Sequence, residues 1–462
     1  MKRFDFDVAV IGGGSGGYAA ARTAAAGGLK TVVVEGGKEV GGLCILRGCM
    51  PTKAMLYAAE VKHLAEHAAT WGVRAGRVTF DMAKVMRRKD AQIKDFADFR
   101  VKQLNDGRFD FIRANARFVD AHTVALDNGR SLSAKYFVIA TGSVMAPAPL
   151  PQLNEAGFIT SDDAVALKKL PKSLIILGGG AIACEFAQFF ARFGVRVTLI
   201  QRSERILREF DADAGGEIEK VFRREGIDIF TGTTLLDARS NRGKRGTKTV
   251  IFEQHGRRIS VSAAEILFAL GRVPNTASLD LQNAGVKLEG RRIITNDRMR
   301  TTAPHIFAAG DCTGPHEIVH IAIQQGETCA ANILNPRKPR RMDYRLLLSV
   351  VFTEPQVASV GLTEKAAKAR GIKYISASYP FNDHGKSLIM EAKDGFVKLL
   401  AAPATGEILG GSCVGPVGGE LIHEIVAAMA KRMTVRELAA MPHYHPTLAE
   451  IWTYPAEELA GI

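Results

Sequence analysis

The sequence predicts an α/β fold that contains two Rossmann-like dinucleotide-binding domains and ends in a mixed α+β region. A pattern of buried strand, glycine turn, helix and second strand starts near residue 6 and recurs near residue 173. The length of 462 residues exceeds what one hydrophobic core usually holds and indicates about three domains. Beyond residue 343 the chain combines short strand patterns, such as GFVKLLAA, with a helix predicted over 419–431.

The first of the two patterns reads FDVAVIGGGSGGYAAARTAAAGGLKTVVVE. A strand is predicted over 8–11, and Gly12, Gly14 and Gly17 then form the spacing G-x-G-x-x-G. Glycines at this spacing make a tight turn and let a pyrophosphate approach the backbone where a helix begins. Glu35 ends the second strand, 23 residues after Gly12, where its carboxylate can accept hydrogen bonds from a ribose. The stretch therefore predicts a dinucleotide-binding site.

The second pattern reads SLIILGGGAIACEFAQFFARFGVRVTLIQR and has Gly178, Gly180 and Ala183 at its turn. The position 23 residues after Gly178 is Gln201 rather than an acid, and Arg202 follows, with two more arginines at 205 and 208. A 2′-phosphate is accepted where no carboxylate repels it and guanidinium groups are near. The pattern favours NADPH over NADH. The alternative, in which these arginines are only solvent-exposed residues at the start of a helix, stays open.

Composition and charge exclude several other classes of protein. The chain has 61 Lys and Arg against 48 Asp and Glu, a formal net charge of +13. The basic runs at 239–248 and 335–345 lack interleaved aromatic residues, so we expect attraction for phosphate-bearing ligands but no nucleic-acid partner. No segment has the apolar length of a membrane helix or the pattern of a secretory signal. Six cysteines are too few for a disulfide scaffold, so we expect a cytoplasmic protein without a membrane partner.

Several separated motifs carry a resemblance to a known family. Besides the first glycine turn with Glu35, they are FVIATGS at 137–143, LGRVPN at 270–275, TTAPHIFAAGDCTG at 301–314 and MPHYHPTLAEIW at 441–452. In this order they make the chain resemble the class I flavoprotein (pyridine nucleotide) disulfide oxidoreductases. That family includes dihydrolipoamide dehydrogenase, glutathione reductase, mycothione reductase and mercuric reductase.

The resemblance implies that the cofactors are FAD and a nicotinamide dinucleotide, NADPH or NADH. Two dinucleotide folds suit such a pair, since one cofactor is held tightly, the other exchanges, and a hydride passes between them. Asp311 would bind the ribityl chain of FAD. The residues expected to bind the two cofactors are Gly12, Gly14, Ser15, Gly17, Glu35, Gly36, Gly42, Lys53, Ala140, Thr141, Gly142, Gly178, Gly180, Ile182, Gln201, Arg202, Gly271, Gly310 and Asp311.

The resemblance also implies an order of domains along the chain. An FAD-binding domain would comprise residues 1–150 and 279–342. An NAD(P)-binding domain, residues 151–278, would be inserted between its two parts. Residues 343–462 would form an α+β interface domain through which two subunits associate as a homodimer.

Cys44 and Cys49 are separated by four residues in GGLCILRGCMPTK. A structural disulfide is unusual in a reducing compartment, and no second cysteine pair exists to complete a zinc site, so no metal site is expected. Cys49 precedes a predicted helix, where a thiol pKa is lowered, and Gly48 allows a turn that brings Cys44 within bonding distance. The pair is predicted to be redox-active. By the resemblance, Cys49 is the flavin-proximal charge-transfer thiol and Cys44 the thiol that exchanges with the substrate.

Thiol exchange releases a thiolate that must be protonated, so a base that titrates near neutral pH is required. His445 suits this role, and Glu450 is placed to hold the other imidazole nitrogen. In the family this histidine reaches across from the partner subunit, which would make the homodimer the catalytic unit. Lys53 resembles the lysine near the flavin N5, and Glu185 resembles its ion-pair partner, which would offset the desolvation of the lysine.

The expected activity is that of an FAD-dependent NAD(P)H:disulfide oxidoreductase similar to dihydrolipoamide dehydrogenase, with a small disulfide or a protein-bound lipoyl group as substrate. Tyr18 and SVVFTEPQVASVGLTE are closer to dihydrolipoamide dehydrogenase and mercuric reductase. Arg22 and Ser15 match glutathione reductase, whereas Glu327 falls where that enzyme carries a substrate arginine. Glutathione-, mycothione- or mercuric-reductase-like activity therefore stays open. Alternatives from other classes are a flavin electron-transfer or transhydrogenase protein without thiol turnover, and a redox-sensing binding protein.

Overall fold

The computed structural model describes residues 4–241 and 246–462, so residues 242–245 of the basic run at 239–248 lie outside the described part of the chain. Its α-helices are α1 (Ser15–Ala26), α2 (Gly42–Leu46), α3 (Cys49–Glu66), α4 (Met82–Leu104), α5 (Pro151–Ala156), α6 (Ser161–Ala164), α7 (Ala181–Arg192), α8 (Ala212–Arg224), α9 (Val319–Leu334), α10 (Glu364–Ala369), α11 (Gly385–Ile389), α12 (Gly418–Ala430), α13 (Val435–Ala440) and α14 (Thr453–Ala460).

The β-strands of the described residues are β1 (Phe6–Ile11), β2 (Thr31–Glu35), β3 (Asp110–Arg113), β4 (Ala116–Asp120), β5 (Thr123–Leu126), β6 (Ser131–Ile139), β7 (Ser143–Met145), β8 (Ile159–Thr160), β9 (Ser173–Leu177), β10 (Arg196–Ile200), β11 (Asp228–Phe230), β12 (Thr233–Asn241), β13 (Thr247–Gln254), β14 (Arg257–Ala263), β15 (Glu265–Phe268), β16 (Arg272–Pro274), β17 (Leu288–Glu289), β18 (Arg292–Ile293), β19 (Ile306–Ala308), β20 (Leu348–Val351), β21 (Gln356–Gly361), β22 (Ile375–Pro380), β23 (Phe396–Ala401) and β24 (Ile408–Gly415).

These elements form two compact units. The first unit holds residues 4–52, 87–147 and 271–343, and the second holds 53–86, 148–270 and 344–462. Each unit contains one of the two strand–turn–helix patterns seen in the sequence. The domain boundaries expected at 150, 278 and 342 stay a prediction.

A seven-stranded sheet organises the first unit, in the order β3-β2-β1-β6-β5-β4 with β19 also paired to β6. β1 pairs in parallel with β2 and β6, and β19 pairs in parallel with β6. Side chains of β1 alternate between two hydrophobic clusters: Val8 and Val10 pack with α1 and α9, whereas Ala9 and Ile11 pack with residues of the other face. Burial on both faces explains why β1 is a continuous apolar run rather than an alternating one.

A five-stranded parallel sheet organises the second dinucleotide fold, in the order β11-β10-β9-β15-β8. The buried helix α7 follows β9, and the antiparallel sheet β12-β13-β14 contributes to a cluster with Ile175 and Leu177. The last part of the chain forms a five-stranded antiparallel sheet, β20-β21-β24-β23-β22, on which α12 packs. The predicted helix over 419–431 is observed one residue earlier, as Gly418–Ala430.

The two glycine turns have the same local geometry. Gly12 has φ +106° and Gly178 has φ +117°, a region of backbone conformation that favours glycine. A Cβ at Gly12 would lie 2.3 Å from the carbonyl oxygen of Ala140, and one at Gly178 would lie 2.3 Å from that of Ala269. The repeat read from the sequence is therefore a structural repeat, and the predicted fold class is confirmed.

None of the helices within residues 4–241 and 246–462 combines the length and the apolar character needed to cross a membrane.

Candidate active site

The first glycine turn forms a cradle that side chains cannot enter. A Cβ at Gly17 would lie 1.9 Å from the carbonyl oxygen of Gly12, so α1 begins in direct contact with the turn. Gly42 has φ +77°, and a Cβ there would lie 2.8 Å from the Cα of Gly14. Ser15 is the first residue of α1. This arrangement presents backbone N–H groups and a helix N-terminus to a phosphate.

The carboxylate of Glu35 is fixed beside this cradle by backbone amides. Its Oε2 accepts a hydrogen bond of 2.7 Å from the N–H of Gly13, and its Oε1 accepts one of 2.6 Å from the N–H of Gly37. Gly36 leaves no space for a side chain, because a Cβ there would lie 2.0 Å from Oδ1 of Asn115. The acid predicted to bind a ribose thus stands at the edge of the cradle with a defined orientation.

Three of the motifs that carried the resemblance meet in one hydrogen-bonded network. Ser143 donates from Oγ to Oδ2 of Asp311 at 2.7 Å. Arg272 donates from Nε to the Ser143 Oγ at 2.8 Å and from Nη2 to the Ser143 carbonyl at 2.8 Å. Gly271 (φ +113°) and Gly310 (φ +78°) precede the arginine and the aspartate. Ser143 and Arg272 were missed as site residues, although both lie within motifs that the sequence shows.

A buried hydroxyl in the turn Ala140-Thr141-Gly142 fits a bound dinucleotide. The Oγ1 of Thr141 is buried and has no hydrogen-bond partner among the described residues. Ala140 approaches Gly12 on one side of this hydroxyl, and Gly142 accepts a backbone hydrogen bond of 2.9 Å from Asn275 on the other. Since a buried hydroxyl without a partner is costly, a ligand at this turn would satisfy it. The cradle and this hydroxyl suit the FAD predicted here.

The second glycine turn is open where a nucleotide would lie. A Cβ at Gly180 would meet nothing within 4 Å, in contrast to one at Gly178, so space exists next to the start of α7. Ile182, in the first turn of α7, is 37% exposed. The Oε1 of Gln201 accepts a hydrogen bond of 3.1 Å from the N–H of Arg202, which places the glutamine at the end of β10.

The three arginines after β10 differ in their partners. Arg205 donates from Nη2 to the carbonyl of Phe210 at 3.3 Å, and Arg208 pairs with Glu209 at 3.3 Å. Arg202 is exposed, and no carboxylate of the described chain lies within ion-pair distance of it. Of the three, Arg202 is the one whose guanidinium makes neither kind of contact.

Cys44 and Cys49 lie on consecutive helices of the thiol segment. Cys44 is in α2 and Cys49 is the first residue of α3, and both are half-buried. A Cβ at Gly48 would lie 3.3 Å from the Cα of Cys44 and 3.1 Å from the carbonyl oxygen of Leu43. Gly48 does not have a positive φ, so the turn conformation that the sequence suggested does not require glycine, and a side chain here would be in tight contact with the neighbouring backbone. The chain just before Cys49 thereby lies against the backbone of Cys44.

The other four cysteines are buried, and burial raises the pKa of each thiol, to about 12 for Cys312. They are Cys184, Cys312, Cys329 and Cys413. The described residues contain no group of His, Cys, Asp and Glu side chains that could hold a metal ion. A buried thiol with a raised pKa is a poor nucleophile, whereas Cys44 and Cys49 are only half-buried.

Lys53 and Glu185 form the ion pair that the resemblance implied. Nζ of Lys53 lies 2.9 Å from Oε1 and 2.8 Å from Oε2 of Glu185, whose side chain is 5% exposed. The same Oε1 accepts a hydrogen bond of 3.0 Å from the N–H of Phe352. Nζ of Lys53 lies 4.5 Å from the centre of the Phe352 ring. Lys53 follows Cys49 by one turn of α3. The lysine is therefore held in one orientation by a carboxylate that is itself fixed by the backbone.

A second pair joins His445 and Glu450. Nδ1 of His445 lies 2.9 Å from Oε2 of Glu450, and the histidine side chain is 78% exposed. The other oxygen, Oε1, lies 3.4 Å from Nε2 of His384, a fully buried histidine whose Nδ1 is 2.7 Å from Oγ of Ser387. Burial lowers the pKa of His384, and the nearby Glu450 opposes that shift. His384 was not found from the sequence, because no local pattern marks it.

His443 differs from His445 in its exposure and in the partners of its ring nitrogens. Its side chain is 7% exposed, Nε2 lies 2.6 Å from Oε1 of Glu424, and Nδ1 lies 2.9 Å from the carbonyl of Met441. Both ring nitrogens are engaged within the subunit, which indicates a structural role for His443. The exposed imidazole of His445 is the one available to a second subunit or a substrate.

Comparisons with known proteins identify relatives over nearly the whole chain. The family of pyridine nucleotide-disulphide oxidoreductases matches residues 6–326, and the dimerisation domain of these proteins matches residues 347–456. The chain is 35% identical over 437 residues to a dihydrolipoyl dehydrogenase of Geobacillus stearothermophilus, covering 94% of this chain and 91% of that protein. It is 33% identical over 448 residues to a mercuric reductase of Staphylococcus aureus, covering 96% and 81%. The HOCl-induced flavoprotein disulfide reductase RclA from Escherichia coli superposes with a TM-score of 0.85 at 25% identity, covering 98% of this chain and 99% of that one.

Proposed function

This chain belongs to the pyridine nucleotide-disulphide oxidoreductase family, and from that membership we propose how its own residues carry out the reaction. It is an FAD-dependent oxidoreductase that acts on a sulfur group with NAD(P)H, and its dimerisation domain supports a homodimer. The family, enzyme class and cofactors predicted from the sequence are thereby confirmed. FAD, when bound, supplies the transfer of an electron pair between the nicotinamide and the thiol pair.

Cys44 attacks one sulfur of a small disulfide, forms a mixed disulfide and releases the first thiol. Cys49 then attacks the Cys44 sulfur, re-forms the Cys44–Cys49 bond and releases the second thiol. One NAD(P)H and one proton are consumed for each disulfide converted into two thiols. The observation that carries this proposal is the position of the two half-exposed thiols on either side of Gly48, when every other cysteine is buried.

His445 of the partner subunit protonates the first departing thiolate, which leaves as a thiol, and the ring then takes up the proton that the overall reaction consumes. This assignment is supported by the exposed imidazole and by the 2.9 Å contact of its Nδ1 with Glu450, which leaves Nε2 directed away from the carboxylate. Glu450 holds the imidazole in one orientation. The homodimer is then the catalytic unit.

Lys53 is proposed to lie near the reactive edge of FAD, with Glu185 as the partner that offsets the cost of burying its charge. The residues that hold the two cofactors are those expected from the sequence, together with Ser143 and Arg272, which fix Asp311. The substrate class proposed is a small disulfide or a lipoyl group. A reducing compartment, the cytoplasm, is proposed from the small number of cysteines.

Arg202→Ala tests the preference for NADPH. We expect kcat/KM for NADPH to fall about tenfold or more, because a charge-assisted contact to the 2′-phosphate is lost, and kcat/KM for NADH to change by less than about twofold. The matched control is Arg208→Ala, since Arg208 already pairs with Glu209. Equal losses of kcat/KM for both nucleotides in Arg202→Ala would indicate that Arg202 is only a solvent-exposed residue at the start of the helix.

His384→Ala tests whether the buried histidine positions Glu450. We expect kcat to fall about tenfold with little change in KM, since a small misplacement of a catalytic group is costly, and partial recovery in His384→Gln. Unchanged kcat with a lower melting temperature would indicate a purely structural role.

The pH dependence of stability gives a separate check on His384. Because burial lowers its pKa, the neutral ring contributes stability that is present above about pH 6.5 and is lost as the pH falls through the lowered pKa. Urea midpoints of the wild type and His384→Ala, measured between neutral and acid pH, should therefore converge on the acid side.

The substrate is tested by measuring kcat/KM for NADH and NADPH against lipoamide, glutathione disulfide, mycothione disulfide and Hg(II). Lipoamide as the best substrate would support the resemblance to dihydrolipoamide dehydrogenase. Negligible turnover with every disulfide, combined with reduction of small one-electron acceptors, would instead support a flavin electron-transfer protein.

A further inference from the structure

Arg100 is a half-buried cation that has no anionic partner among the residues that the structure describes. It lies near the end of α4, is half-buried overall, and its guanidinium carbon lies 4.3 Å from the centre of the Tyr18 ring. Its Nε and Nη1 are buried and have no hydrogen-bond partner within residues 4–241 and 246–462. Stacking on tyrosine compensates part of the charge, but two buried donors without acceptors are costly. Such a group is expected to meet an acceptor supplied by a ligand.

Arg100 and Cys44 belong to the same compact unit, and a short series of contacts links them. Tyr18, on which it stacks, is in the first turn of α1, and its N–H bonds to the carbonyl of Gly14 at 2.8 Å. Gly42, two residues before Cys44, touches the Cα of the same Gly14. Burial lowers the pKa of Arg100, while the nearby Tyr18 and Cys44 act in the opposite direction. A ligand bound at Arg100 would therefore lie within reach of Cys44.

The other arginines around this thiol already have anionic partners. Arg22 pairs with Glu327, and Nη1 of Arg47 lies 3.6 Å from Oε2 of Glu39. Arg100 differs because its surroundings offer an aromatic face instead of a carboxylate. Of these three arginines, Arg100 is the one without a carboxylate partner among the described residues.

A second polar atom on α4 is also left without a partner. The Oε1 of Gln103 is buried and has no hydrogen-bond donor in the described parts of the chain. Gln103 follows Arg100 by three residues, so both side chains lie on the same side of the helix. Because an amide oxygen only accepts hydrogen bonds, Gln103 Oε1 does not bind a carboxylate, and the two unpaired donors of Arg100 are the groups that an anion would satisfy.

We propose that Arg100 binds a carboxylate of the disulfide substrate, and hence that Cys44 prefers low-molecular-weight disulfides that carry a negative charge close to the sulfur atoms. This inference rests on the proposed function, since it places the anion beside the thiol that attacks the disulfide. The contact orients the substrate, and the exchange itself keeps its electron balance, with one NAD(P)H consumed for each disulfide reduced to two thiols. Arg100 is thus a residue that determines specificity.

Three small disulfides with the same short carbon chain distinguish charge from shape: dithiodipropionate is anionic, hydroxyethyl disulfide is neutral and cystamine is cationic. With the purified holoenzyme and saturating NAD(P)H, we expect kcat/KM to decrease in that order, with about tenfold or more between the anionic and the neutral compound. In Arg100→Met, which keeps an apolar stem over Tyr18, this ratio should fall to about one. Arg100→Lys should retain part of it, because the charge remains but the planar stack is lost.

Arg108→Met is the matched control. Arg108 also contacts Tyr18, because its Nη2 donates a hydrogen bond of 3.0 Å to the tyrosine hydroxyl. Unlike Arg100, it forms an ion pair, with Asp106. The ratio of anionic to neutral substrate should stay within about twofold of the wild type in this variant. An anionic preference that survives in Arg100→Met, or no preference in the wild type, would overturn the inference while leaving disulfide reduction intact. Failure of the wild type to reduce any of the three compounds would count against the proposed function instead.

Discussion

Cys44→Ser is expected to lower kcat/KM for disulfide reduction by about ten-thousandfold or more, because the attacking sulfur is removed and a serine hydroxyl is not ionised at neutral pH. Oxidation of NAD(P)H by small electron acceptors should persist, since those acceptors do not require the exchanging thiol. The purified variant should also show a long-wavelength absorption band, because the resemblance places the remaining thiolate of Cys49 against the flavin.

Cys413→Ala is a suitable control for that experiment. Cys413 lies in β24, is completely buried, and burial raises the pKa of its thiol. Its replacement should lower the unfolding free energy modestly and leave disulfide reduction close to that of the wild type. Normal reduction of disulfides by Cys44→Ser would remove the basis of the proposed function.

His445→Gln is expected to lower kcat for disulfide reduction by about a hundredfold to ten-thousandfold, because no group remains to protonate the departing thiolate. The loss should be greatest for substrates whose thiols have high pKa values, since these leave least readily without a proton. Stability should change little, because the His445 side chain is 78% exposed. A pH–rate profile that loses its inflection near neutral pH would identify the histidine as the titrating group.

A mixture of inactive subunits shows whether the site is shared. If Cys44→Ser and His445→Gln subunits are dissociated, mixed in equal amounts and allowed to reassociate, half of the dimers are mixed. Each mixed dimer then combines one intact Cys44 with one intact His445 across the interface, so activity should return to about a quarter of the wild type. Recovery would not occur if both residues served the same subunit. Mixing two preparations of the same variant is the control.

The glycine turns and their helices could be predicted because their requirements are local. Gly12 and Gly178 each adopt a positive φ, which is a requirement of the turn itself. Their close contacts with the carbonyls of Ala140 and Ala269, in contrast, come from distant parts of the chain. The pairing of Lys53 with Glu185 was also anticipated, although from the resemblance rather than from spacing. In each case the residue type has a property, a positive φ or a charge, that few other roles at that position would require.

His384 and Arg100 could not be predicted in this way. His384 contacts Glu450 only because strand β22 and the segment after it fold against the C-terminal helix. Arg100 stacks on Tyr18 only because α4 packs near α1. In the sequence each is one polar residue among many, with no motif around it.

The sequence by itself determined the two dinucleotide folds, the thiol pair and the histidine–glutamate pair, since backbone conformation and short spacing are written into neighbouring residues. Only the tertiary structure decided that Arg100 has an aromatic ring rather than a carboxylate beside it, that His384 contacts Glu450, and that Gly48 lies against the backbone of Cys44. The physical reason is that burial and charge compensation depend on groups brought together from distant parts of the chain.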